Sequence, residues 1–115
     1  MSDDRALPLL SATDAATSAV RELVREQGPV MFVLSAGCCD GSAPMCFADG
    51  EFLVGSRDVL VGRVEGAPFY VDRRQLDAWP HGEIVLDTEP GYADGLSLAA
   101  GEGRHFVAHV RGLAG

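Results

Sequence analysis

All three cysteines of this chain fall within nine positions, in the stretch Ser35-Ala36-Gly37-Cys38-Cys39-Asp40-Gly41-Ser42-Ala43-Pro44-Met45-Cys46. Gly37 and Gly41 free the backbone to turn tightly, so the thiols are expected on a turn rather than in mid-strand. Thiols grouped this way can ligate a soft metal, react as nucleophiles or redox groups, or pack as small apolar side chains. A metal would draw thiolates from Cys38 or Cys39 together with Cys46. Zinc and cluster sites need about four ligands, so a histidine or a second subunit would have to complete the set. Adjacent residues of an extended chain point to opposite sides, so Cys38 and Cys39 share an ion only if the turn bends sharply. His105 and His109, four apart on a strand, would stand roughly 13 Å apart at about 3.3 Å per residue, so one of them at most can join. The candidate ligand set is Cys38, Cys39, Cys46 and His105, for zinc or an iron–sulfur cluster.

The other chemistries are weighed on the same residues. A reactive thiol needs a nearby cation or helix N-terminus to lower its pKa, whereas the nearest charge in sequence is Asp40, which raises it. A Cys38–Cys39 disulfide would be strained and would act as a switch rather than a staple. Asp72-Arg73-Arg74 could meet an anion, or simply cap a short helix. Trp79-Pro80-His81 could line a pocket, or anchor a helix to a sheet. Free cysteine is among the most buried residue types, which gives the purely structural reading of the thiols its footing.

Regular elements must position these groups. Ser11-Ala12-Thr13-Asp14 reads as a capped helix start. A helix is predicted from Thr13 to Gln27, with Ala16, Ala19, Val20, Leu23 and Val24 on one stripe and Ser18, Arg21, Glu22, Arg25 and Glu26 opposite. Gly28-Pro29 ends it. Val30 to Leu34 is a short apolar run expected as a strand covered on both faces. After the cysteine turn come strands at Ala43 to Phe47, Phe52 to Val54, Val59 to Val64 and Phe69 to Val71, and then an Asp72-capped short helix stopped by Pro80. Further strands are expected at Glu83 to Leu86 and Leu96 to Leu98, joined by the loop Pro90 to Gly95. A last strand from Arg104 to Val110 puts Phe106, Ala108 and Val110 on one face and both histidines on the other.

The length of 115 residues and 47% hydrophobic content suit a single domain spanning residues 1–115 with one modest core. A formal charge of −8, from 17 acidic and 9 basic residues, opposes encounters with nucleic acid or anionic membranes. The acidic opening Met1-Ser2-Asp3-Asp4 lacks the layout of a signal peptide, and no stretch has the apolar length of a membrane span. The expected location is cytoplasmic, where thiols stay reduced.

The order helix, strand, Gly37-Cys38 turn and then sheet resembles the HesB-like fold of the A-type iron–sulfur carriers. Gly66-Ala67-Pro68-Phe69-Tyr70-Val71-Asp72, Leu76, Gly82-Glu83-Ile84-Val85-Leu86-Asp87 and Gly95-Leu96-Ser97-Leu98 extend that likeness. The carriers hold two more cysteines in a C-terminal Cys-Gly-Cys motif, where this chain offers Glu102, Arg104, His105 and His109. The string from Leu34 to Cys46 and Ala78-Trp79-Pro80-His81 are similar to an uncharacterised bacterial family, domain of unknown function 779. That resemblance implies an aldehyde dehydrogenase as partner, because members are often encoded beside such enzymes. The fold expected is α+β, HesB-like, with a mostly antiparallel sheet, one N-terminal amphipathic helix and one short helix. The function expected is that of an accessory protein rather than a catalyst, handling a metal or cluster through the cysteine turn, with a homodimer supplying missing ligands. Two alternatives stand beside it: an interaction module whose cysteines only pack, and a small thiol-dependent redox enzyme.

Overall fold

Phe32 stacks on Phe69 with ring centroids 5.7 Å apart and meets Phe106 edge-on at 4.9 Å, and these three rings join two separate sheets. The structure is a computed structural model that describes residues 9–34, 44–51, 54–56, 58–78, 82–91, 98–101 and 103–112. One sheet has the order β3-β2-β5-β4, formed by β2 (Val30–Leu34), β3 (Met45–Ala48), β4 (Asp58–Val64) and β5 (Ala67–Asp72). The other has the order β1-β6-β7, formed by β1 (Leu9–Ala12), β6 (Gly82–Pro90) and β7 (Arg104–Gly112). The described residues are α+β and mostly sheet. No helix among them is long and apolar enough to cross a membrane.

The apolar run Val30–Leu34 is the inner strand β2, buried at all five positions between β3 and β5. A strand covered on both faces needs no polar alternation, which is why it reads as a continuous hydrophobic run. The helix α1 (Asp14–Gln27) begins at Thr13, whose hydroxyl accepts from the Ala16 amide, and ends at Gly28 with φ 97°. It sends Ala16 and Val20 into the core, with Ala19, Leu23 and Val24 packed against them. Ser18, Arg21, Glu22, Arg25 and Glu26 face solvent. The turn between β4 and β5 has positive φ at both Glu65 and Gly66, the geometry that suits the twist of a two-residue hairpin. Glu65 keeps this position while its carboxylate meets Arg21 of α1 at 2.7 Å.

Three features differ from the sequence expectation. The single mostly antiparallel sheet is two sheets, and two of the five strand pairs among the described residues are parallel, β1 with β6 and β2 with β5. The strand β1 has no strong local signal, because its four residues alternate between exposed and half-buried and take extended form by pairing with Glu83–Leu86. Leu98 lies outside any strand, and Val54 does too. The remainder of those two expected strands, Phe52, Leu53, Leu96 and Ser97, falls outside the described residues, as do Trp79, Pro80 and His81. The sheets approach each other again where β4 bulges between Leu60 and Gly62, and a Cβ added to Gly62 would lie 3.0 Å from a methyl of Leu10. Truncating Phe32 removes both aromatic contacts at once. Phe32→Ala is expected to cost about 3–5 kcal/mol, measured as a lower urea midpoint with an unchanged slope, whereas Phe32→Leu should cost clearly less.

Candidate functional site

Cys46 stands on β3 directly opposite Phe32, and its side chain belongs to the core cluster with no exposed surface. Burial pushes its thiol up to about 12, so it is protonated at neutral pH. A redox or nucleophilic role for Cys46 needs a thiolate, which this environment withholds. Its carbonyl accepts from the Leu98 amide at 2.8 Å, tying β3 to the segment that leads into β7.

Cys38 and Cys39 lie outside the described residues. The attachment points of their segment are defined, however. β2 ends at Leu34, β3 begins at Met45, and Met45 pairs with Val33, so residues 35–44 join neighbouring strands at one end of the four-stranded sheet. Pro44 is buried at the foot of that connection. At the same end Leu34 pairs with Val71, and the chain passes through Asp72 into α2 (Arg73–Ala78). The Asp72 carboxylate accepts from the Arg74 amide at 2.8 Å and meets its guanidinium at 3.4 Å, so this charge group serves as a local cap.

His105 and His109 lie on β7, in the other sheet. Alternation sets His105 and His109 on the face opposite Phe106 and Ala108, which enter the core. His105 pairs across the ladder with Glu89, and its ring lies over Gly91, where an added Cβ would come within 3.1 Å of the imidazole. The structure therefore does not bring His105 to Cys46. The thiol of Cys46 sits inside the core, whereas His105 lies on the face of β7 opposite the core residues Phe106 and Ala108. Among the described residues no three His, Cys, Asp or Glu side chains could hold a metal, so these residues by themselves do not fit zinc or a cluster.

Two polar constellations carry no sequence motif. The first is centred on Asp87. The Thr13 hydroxyl that caps α1 also donates to Asp87 Oδ1 at 2.7 Å, and the Thr88 amide donates to the same oxygen at 2.8 Å. His109 Nε2 stands 3.8 Å from Asp87 Oδ2 and 3.9 Å from Glu89 Oε2. The Thr13 hydrogen bond chiefly holds the Asp87 carboxyl below its ordinary range. Partial burial opposes this, and the Thr88 amide, His109 and Arg104 add to the lowering. In the second constellation Arg104 donates from Nε to Thr88 Oγ1 at 3.1 Å, and from Nη2 to Thr88 O and Oγ1 at 3.0 and 2.9 Å. The sequence signal was present, since Arg104 shares the strand parity of Phe106, and Thr88 that of Ile84 and Leu86. A buried threonine at such a position should find a partner, and an arginine of matching parity on the neighbouring strand can supply it from the exposed rim.

Because the folded-state pKa of Asp87 is depressed, its contribution to stability is present above its unfolded pKa, near 4, and is lost as pH falls through the folded value. Asp87→Asn should therefore flatten the fall in stability below about pH 4, read from urea midpoints across an acid series. Thr13→Ala should weaken the same limb, and it should also cost about 1 kcal/mol at neutral pH as a lost helix cap.

Among solved structures the chain is similar to SufA of Escherichia coli, described as involved in biosynthesis of iron-sulfur clusters. The two share 22% identity over 95% of this chain and 86% of that chain, with a TM-score of 0.47. No curated protein matches. Residues 19–111, from the second turn of α1 almost to the end of β7, match the family described as Domain of unknown function (DUF779), and the chain belongs to that family.

Proposed function

We propose that this chain is a cytoplasmic, non-catalytic accessory protein of HesB-like architecture that uses Cys38 and Cys39 to hold a soft metal ion or iron–sulfur cluster as cargo for a partner enzyme. The observation that supports this reading is the division of the three thiols. Cys46 is enclosed by the core, so sulfur chemistry falls to the two cysteines of the segment between β2 and β3. That segment is fastened at both ends to hydrogen-bonded strands, which gives a ligand-bearing loop a rigid base. Two thiols supply half of an ordinary zinc or cluster site, so a homodimer pairing Cys38 and Cys39 of two copies completes it. Neither Cys46 nor His105 is assigned to this ligand set. An aldehyde dehydrogenase is the partner class that the family resemblance implies.

A second reading, an interaction module whose cysteines only pack, has Cys46 in its favour, because that thiol already serves as core.

Protein purified without air separates the two readings. Metal and sulfide analysis, an absorption spectrum and light scattering should show a dimer carrying bound metal or cluster. Cys38→Ser or Cys39→Ser should lower metal per chain at least fivefold, while Cys46→Ala should leave it unchanged and lower the urea midpoint. Metal-free protein, or metal content indifferent to Cys38→Ser and Cys39→Ser, would overturn the cargo reading.

A further inference from the structure

A groove of about 770 Å³ lies between one flank of α1 and the Ala99-Ala100-Gly101 segment with Arg104. Its helix wall is made by Ala15, Ser18, Ala19 and Leu23 and closes with Glu26. Its other wall is the Ala99-Ala100-Gly101 backbone with Arg104. Small side chains line most of it, so another chain could approach both walls closely. From Ala15 to Glu26 the helix advances eleven residues, about 16 Å at 1.5 Å per residue, the length of about five residues of extended chain.

The charges of the groove are arranged rather than scattered. Arg104 is locked by three hydrogen bonds to Thr88, which is buried, and this leaves Nη1 with no partner among the described residues. A guanidinium fixed in advance loses little freedom on donating to a carboxylate, so it binds one more strongly than a loose surface arginine does. Thr88 follows Asp87, which holds Thr13 at the start of α1, whereas Glu26 lies in the last turn. On the same wall Glu22 is engaged by Arg25 at 2.7 Å, and Glu26 has no ion pair among the described residues.

We infer that this groove binds an extended segment of a partner protein, five to six residues long, with an acidic residue seated on Arg104, small or apolar residues along the floor, and a lysine or arginine at Glu26. The groove is independent of the cysteine chemistry proposed above, yet it is tied to it in space. Leu98, next to the Ala99 wall, donates its amide to the Cys46 carbonyl, so a partner held here is brought close to the strand that closes the cysteine segment.

The test is selection from a displayed library of random seven-residue peptides on the full chain, followed by titration of the synthesised winners by fluorescence anisotropy. The expected winners place Asp or Glu three to five residues from Lys or Arg. Arg104→Gln and Ser18→Trp, the latter filling the groove from an exposed helix position, should each weaken binding at least fivefold with circular dichroism unchanged. Metal content should be unaffected by either variant, which separates this inference from the cargo reading. Winners ending in a free α-carboxylate in place of Asp or Glu would relocate the anion to a chain terminus, and amidating them should then abolish binding. No enriched sequence, or binding insensitive to both variants, would overturn the inference.

Discussion

The contact of Phe32 with Phe106 is the joint on which the rest of the architecture depends. Neither sheet is large, with three and four strands among the described residues, and each presents an apolar face that is stable only when covered. Phe32 lies at the centre of one face, stacked on Phe69, and its edge meets the Phe106 ring of the other. Aromatic pairs in this geometry add to the stabilisation from buried area alone. α1 closes the arrangement with Ala16 and Val20, and Thr13 fastens the helix start to both Leu86 and Asp87 of β6.

The same joint divides the chemistry of the chain. Cys46 is the register partner of Phe32, so whatever seals the aromatic cluster also seals that thiol and keeps it protonated. Charge is partitioned along with sulfur. β6 carries Glu83, Asp87 and Glu89, and β7 sets the Arg104 guanidinium against Thr88 within reach of the Asp87 charge, so part of an acidic chain's repulsion is relieved there.

Elements with strong local causes were legible in the sequence. α1 was readable to within a residue because Thr13, Gly28 and a 3.6-residue apolar period all mark it, and β2 because five consecutive apolar residues bounded by turn residues suit a doubly covered strand. What escaped depends on partners distant in sequence. Leu9–Ala12 becomes a strand only because Glu83–Leu86 lies beside it, and the division into two sheets follows from parallel pairings that no turn announces. Three cysteines within nine positions read as one group. The expected strand Ala43 to Phe47 already held Cys46, but only the register, which sets it opposite the core residue Phe32, shows that its thiol is sealed. His105 was correctly placed on the face away from Phe106, but only the sheet assignment shows that this face turns away from the sulfur of Cys46.

Native-state thiol exchange tests most directly whether the aromatic joint and the sealed thiol are one unit. In a Cys38→Ser, Cys39→Ser double variant, labelling of Cys46 would be followed through increasing sub-denaturing urea. The expected result is exposure only through an opening whose free energy and urea slope equal those of global unfolding. Rapid labelling with little dependence on urea would show that Cys46 opens locally, and the separation of that thiol from the chemistry of the cysteine segment would then be contradicted.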